Sequence, residues 1–331
     1  MTNDIHNPND DQPHRISRLC YANTVNSCAL AHKTPPCITD IRVPCLASFK
    51  YDGIRARVLP DDQLQPRVWS RRNEFIPNNF VQELLSHDRF IGFDGELIVG
   101  APNDPHVYTK SESGIMSIDG EPAFTFYVFD TYALHVPYVD RYTALRDRIA
   151  SVKDVLPIQL VTQELINTHG ELEAFEQRAL TLGYEGVITR SLDGLYKHGR
   201  STMTEQYLVK LKQWITSEAR IIGYEELQHN DNPTSLDNRG LTKRSSHNAN
   251  MRAGQMLGAL LVEDIHDGRQ FAIGSGFTTE QRIQIWNNQT YFKQMLAHYV
   301  HFPIGAKHKP RQPVFKGWRR WTDMPTDQQE V

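Results

Sequence analysis

The chain has 331 residues, 39% of them hydrophobic, a formal net charge of -3 and four cysteines. That apolar content supports a sizeable core and about two domains. No apolar run reaches the roughly 20 residues a membrane helix needs, and the near-neutral balance advertises no nucleic-acid partner for the molecule as a whole.

The opening MTNDIHNPNDDQPHR is polar and carries several acids, unlike a leader, and reads as a loose tail. The expectation is a cytoplasmic protein with a polar lead-in over residues 1–34. Cys20, Cys28, Cys37 and Cys45 lack zinc-knuckle spacing and read as reduced thiols. VPCLASFKYDGIRARVLP reads as two strands around Gly53, with Ile54, Ala56 and Val58 on one face and Arg55 and Arg57 on the other. FIGFDGELIVG is a strand with Asp94 and Glu96 opposite Phe93, Leu97 and Val99. FTFYVFDTYAL reads as an aromatic strand, and RYTALRDRIASV as a helix. GELEAFEQRALTLG places Leu172, Phe175, Ala179 and Leu182 at helical spacing, with Gly183 placed to end the helix. YEGVITR and QYLVKLKQW follow as strands, the latter with Lys210 and Lys212 on one face.

Beyond Trp214 short strands dominate: EARIIGYEE, QMLGALLVED, QFAIGSGF and a basic, aromatic end. A polar loop over about 229 to 255 and one helix, TTEQRIQIWNN, separate them. Strands with one helix in that length suit a small oligonucleotide-binding barrel.

Six polar stretches recur through this frame: KYDGIR, SRRNEF, FDGELIV, FYVFDTY, YEGVITR and LVKLKQW. One lysine-x-aspartate-glycine alone is a weak signal. In this order and approximate spacing the six resemble the ATP-dependent DNA ligases, in particular the compact bacteriophage type. The resemblance runs from about Leu46 to Asp323 and extends to YKHGRS, KRSSH, GSGFT and RQPVFKGWR. It implies an α+β fold: an adenylation (nucleotidyltransferase) domain of antiparallel sheets and helices over 35–216, then an OB-fold β-barrel domain over 217–331.

The chemistry suits those residue types. A lysine amine attacks phosphorus only when deprotonated, and burial and nearby cations supply that form. The charged phosphoryl group needs cations around it, and magnesium needs oxygen ligands. The resemblance makes Lys50 the adenylated lysine and Asp52 a support for chemistry at the nick. Arg55 reaches the ribose, and Arg71 meets the nick 5′-phosphate or the nucleotide. Glu96 binds the ribose and, with Glu185, serves the metal. Phe129 stacks on adenine, and Lys210 and Lys212 bind phosphate. ATP, Mg2+ or Mn2+, and nicked double-stranded DNA are the implied ligands of a monomer.

Two departures stand out. Asn73 occupies a position where the family often has glycine, and asparagine also tolerates a left-handed turn. The last motif usually pairs an arginine with a nearby aspartate and lysine, whereas Arg319 and Asp323 are followed by Met324. In the family that element helps orient the pyrophosphate during self-adenylation, and Lys316 is an equal candidate with Arg319 for that role. The basic stretch TKRSSHNANMR is expected to be a mobile loop whose Lys243 and Arg244 contact the DNA backbone, with Lys316 and Arg319 as further DNA contacts.

Taken singly, each residue has a plainer reading. Lys210 and Lys212 suit the solvated face of an edge strand, Phe129 suits a core, and Glu185 suits a surface turn. Asp94 reads as strand support and is left out of the site. The ordered series argues against chance. Related alternatives are an RNA ligase, an RNA-capping guanylyltransferase, or a catalytically silent nick-binding protein. The NAD-dependent ligases are disfavoured, because no nicotinamide-binding domain or cysteine zinc module is recognisable.

Overall fold

A computed structural model describes residues 28–31, 37–152, 157–212, 214–236, 242–302 and 309–323. Cys20 and most of the expected polar lead-in lie outside these residues. Among them, no helix is long and apolar enough to cross a membrane.

The first part of the chain builds two sheets. One has the strand order Pro66–Ser70, Ile54–Pro60, Phe93–Val99, Phe124–Thr131, Ile158–Leu160, antiparallel except for its last pair. The other has the order Val209–Leu211, Val187–Ser191, Cys45–Phe49, Glu164–Ile166, antiparallel throughout. Period-two alternation sends Ala56, Val58, Val68, Leu97 and Phe126 into one core, packed under the helices Asn79–Leu85 and Tyr138–Ala150. Fully burying one such large side chain contributes about 1.5–3 kcal/mol. The second sheet packs Val187, Val209 and Leu211 against Leu172, Phe175 and Ala179 of the helix His169–Thr181. Gly183, at φ 87°, follows that helix in the left-handed conformation expected at its end.

The chain crosses from the second sheet to the first through Lys50–Gly53, between strands Cys45–Phe49 and Ile54–Pro60. Gly53 has no room for a side chain: a Cβ there would collide with the Leu97 carbonyl and Ile98. The tight passage brings the polar turn against Glu96 and Leu97.

A third, five-stranded antiparallel sheet has the order Gln270–Ile273, Met251–Asp264, Ile215–Asn230, Leu296–Phe302, Arg311–Arg319. Its core holds Ile221, Leu260, Val262, Tyr299 and Phe315, with Ile285 of the helix Thr279–Asn287. Among the described residues the ladder does not close into a continuous barrel, and a bridge between Ser275 and Val314 ties the segment beyond the first edge strand to the last strand.

Among its described residues, the polar loop expected over about 229 to 255 is instead in large part paired strand. Strands Ile215–Asn230 and Met251–Asp264 stay paired, through three register shifts, out to Asn230 opposite Met251. Thr234–Leu236 pairs with Thr242–Arg244 beyond them. Backbone pairing, not apolar alternation, holds this arm. The buried Asn232 amide supports it by donating to the Ser245 and His247 carbonyls at 3.0 and 2.8 Å. A bulge near Gln255, at φ 53°, bends the arm.

Candidate active site

The Lys50–Gly53 turn opens on a cleft of about 920 Å³ between the first two sheets, bordered by the third. The Lys50 backbone N–H donates to the Gly186 carbonyl at 2.9 Å, which docks the turn onto the segment carrying Glu185. Gly186 sits at φ 151°, and a Cβ there would strike the Leu211 carbonyl. The close approach places Glu185 between Lys50 and Lys212. One carboxylate oxygen takes the Lys50 ammonium and the other takes Lys212.

The Lys50 side chain is 20% exposed. Burial pushes its pKa below the ordinary lysine value, aided by Arg311 and Arg55 and opposed by Asp52 and Glu96. Lys212 is pushed down to about 7, by burial and then by the charge of Lys50. Lys210 is lowered by burial and by its neighbours Arg200, Lys50 and Arg71. Burial raises Glu96 to about 7, with Arg55 and Lys50 resisting.

Arg55 lies in register with Glu96 on the neighbouring strand. Its Nε and Nη2 each donate to the buried Asp94 carboxylate at 2.6 Å, and Asp94 also accepts from the Tyr196 hydroxyl at 2.5 Å. The Arg55 guanidinium lies over the Phe129 ring, 4.4 Å from its centre. Arg190 approaches the same ring at 5.4 Å and is anchored on Asp130.

The cleft gathers Lys50, Asp52, Arg55, Arg71, Glu96, Phe129, Lys210, Lys212 and Lys316 along its lining. Glu185 sits behind the two lysines. Arg319 is turned away, paired with Glu218 at 3.2 Å beside His298. Lys243 and Arg244 stand on the arm, where Arg244 Nη1 donates to the Asn232 carbonyl at 2.6 Å.

Three participants escaped the sequence reading. Arg311 grips Asp52 and comes within 3.7 Å of Glu185, so the arginine that the last strand brings into the cleft is Arg311, not Arg319. Its signal was the first residue of RQPVFKGWR. Asp94 proved to be the partner that fixes Arg55, signalled only by its place two residues before Glu96. Ala29–Leu30 pairs in parallel with Gly199–Arg200 and lines the cleft, and no periodicity marks so short a strand.

Among the described residues no group of three or more His, Cys, Asp or Glu side chains forms a ready metal cage. The carboxylates of Glu185 and Glu96 are oxygen donors of the kind magnesium or manganese takes, and both oxygens of Glu185 are engaged by Lys50 and Lys212.

Residues 29–212 match the family model of the ATP dependent DNA ligase domain, and residues 250–319 match that of the DNA ligase OB-like domain. The chain belongs to the ATP-dependent DNA ligases. It is similar to a DNA ligase of Thermococcus onnurineus, at 24% identity over 259 residues, covering 71% of this chain and 41% of that protein. The crystal structure of Chlorella virus DNA ligase-adenylate shares 28% identity at a TM-score of 0.50, covering 89% of this chain and 100% of that one. A Lig E DNA ligase structure shares the fold at 20% identity, with a TM-score of 0.65 over 88% of this chain and 99% of that one. The chain spans less than half the length of curated relatives such as the Thermococcus ligase, the African swine fever virus ligase and the phage T4 ligase.

Proposed function

We propose that this ligase-family chain seals 5′-phosphate/3′-hydroxyl nicks in duplex DNA, using ATP and a covalent lysyl-AMP. The observation that carries the reading is the Lys50–Glu185–Lys212 bridge, whose two lysines line the same cleft as Phe129. A buried lysine of lowered pKa beside further cations is equipped to attack a phosphorus.

In the first step the neutral Lys50 amine attacks the α-phosphorus of ATP. The N–P bond forms, the bond to the β-phosphate oxygen breaks, and pyrophosphate leaves. Lys210, Lys212 and Arg311 face the charge that develops on the phosphate oxygens. Phe129 supports the adenine, while Arg55 and ionised Glu96 hold the ribose. A metal held by Glu185 and Glu96 would add positive charge at the phosphates. The AMP then passes to the nick 5′-phosphate, held by Arg71. The 3′-hydroxyl attacks that activated phosphate and expels AMP, with Asp52 supporting this chemistry.

The working division is an adenylation unit over 35–216 and an OB-fold unit over 217–331, acting as a monomer in a bacterial or phage-infected cell. Lys243 and Arg244 on the arm, and Lys316 on the last strand, are assigned to the duplex backbone, which they neutralise without reading sequence. Arg319, paired with Glu218 and still exposed, is a further candidate contact on that strand. The match of 250–319 to a DNA ligase OB-like domain favours DNA over RNA as the substrate.

Incubation with labelled ATP, then with a nicked duplex, tests the proposal. Label should appear first on the protein and then leave it as the strand is joined. Label carried from GTP alone, or joining without a labelled protein intermediate, would contradict it.

A further inference from the structure

Arg57 is completely buried, and among the described residues its Nε and Nη1 meet no hydrogen-bond acceptor. A guanidinium stays charged in a protein interior, so burying one with few bonds is costly. Its Nη2 donates to Asn73 Oδ1 at 2.5 Å. Asn73 is itself buried and stands at φ 56°, in the left-handed region that L-residues avoid.

Asn73 is the corner of the turn 70–74. Its N–H donates to the Ser70 carbonyl at 3.1 Å, and the Ser70 N–H donates to the Glu74 carbonyl at 2.7 Å. Ser70 Oγ accepts from the Arg72 and Glu74 N–H groups at 3.2 and 3.3 Å. Ser70, Arg71, Arg72 and Glu74 line the cleft. Arg57 stands opposite Trp69 in the adjacent strand, so its side chain reaches past the strand end to hold the corner of the turn. A glycine would accept the same backbone but would offer no acceptor. Asparagine does both.

We infer that Arg57 is a positioning residue: through Asn73 it fixes the turn 70–74 and so sets where Arg71 meets the 5′-phosphate of the nick. The inference rests on the ligase reading above. Arg57 is fully buried and does not line the cleft. A costly buried charge is retained at a site where the aim of another arginine matters.

The test uses single-turnover sealing of a nick that already carries AMP, measured beside lysyl-AMP formation from ATP. Asn73→Gly keeps the backbone and removes the acceptor, Asn73→Asp restores an acceptor, and Arg57→Met removes the donor. Asn73→Gly and Arg57→Met should lower sealing by up to about 10²-fold, the scale of an ångström misplacement, and should lower lysyl-AMP formation much less. Asn73→Asp should seal close to the parent rate. Adding Asn73→Gly to Arg71→Ala should deepen the Arg71→Ala defect little. If Arg57→Met does not fold, the Asn73 pair carries the test alone. Losses that multiply in the double variant, or that fall equally on both steps, would overturn the inference. A parent chain that forms no lysyl-AMP at all would instead defeat the ligase reading beneath it.

Discussion

Arg311, at the start of the last strand of the third sheet, holds Asp52 with both arms of its guanidinium, although Asp52 lies 259 positions away in the turn between the first two sheets. One of those contacts measures 3.2 Å. Asp52 stands in the turn after Lys50, so the last strand of the third sheet reaches the immediate neighbourhood of Lys50. Burial alone would raise the Asp52 carboxyl; the Arg311 hydrogen bond, with Lys50 and Lys212, holds it below its ordinary value. Arg311 also lowers the Lys50 pKa and offsets the aspartate that would keep that amine charged.

Arg311→Ala should therefore slow lysyl-AMP formation by about 10²–10³-fold, the usual loss when one preorganised charge partner is removed. Sealing of a pre-adenylated nick should suffer less, because Lys50 need not act there. Quenched-flow assays of the two steps check the split. A loss confined to sealing would place Arg311 in DNA binding instead, and equal losses would make its role general to the fold.

Glu185 keeps Lys50 and Lys212 from facing each other unpaired. Glu185→Ala and Lys212→Ala should each cost about 10²–10³-fold in nick sealing, on the same charge argument. Thermal melting beside the rate assay separates lost chemistry from lost fold. Parent-like rates in both variants would remove them from the site.

The Glu96 carboxyl, raised by burial to about 7, makes a pH prediction. Its protonated form suits the buried setting, so its contribution to stability is complete below the ordinary carboxylate range. That contribution is lost as pH rises through about 7. Glu96→Gln should melt like the parent near pH 4 and higher at pH 8, by no more than about 3 kcal/mol of stability. In the proposed mechanism the ionised form accepts the ribose hydroxyls, so nucleotide affinity of the parent should rise over the same interval. Calorimetry and nucleotide titration across pH 5 to 8 check both slopes.

The arm makes a salt prediction. Neutralising Lys243 and Arg244 together should weaken nicked-duplex binding and reduce its dependence on log salt by up to about two ion-release units. Lysyl-AMP formation, which needs no DNA, should change little. An unchanged slope and affinity would leave the arm without a DNA role.

Much of the fold was legible where a local pattern forced it. The strand–turn–strand around Gly53, the helix ended by Gly183 and the alternating strand through Glu96 each carry their own signal. What stayed hidden depends on distant partners. Ala29–Leu30 is a strand only because Gly199–Arg200 accepts it, and Arg311 reaches Asp52 only once the third sheet has folded. The arm was read as a loop because its polar sequence lacks apolar alternation, while its order comes from backbone pairing and the Asn232 amide. Asp94 was set aside because strand support looked sufficient, and its carboxylate turns out to aim Arg55.

The central claim is that Lys50 carries the AMP. Lys50→Ala, incubated with ATP labelled in the α-phosphate and then with nicked duplex, is the most direct measurement. The account predicts no label on the protein and no sealing from ATP, while a nick supplied already adenylated is still joined, at a reduced rate. Labelled AMP on the alanine variant, or sealing from ATP at the parent rate, would contradict it.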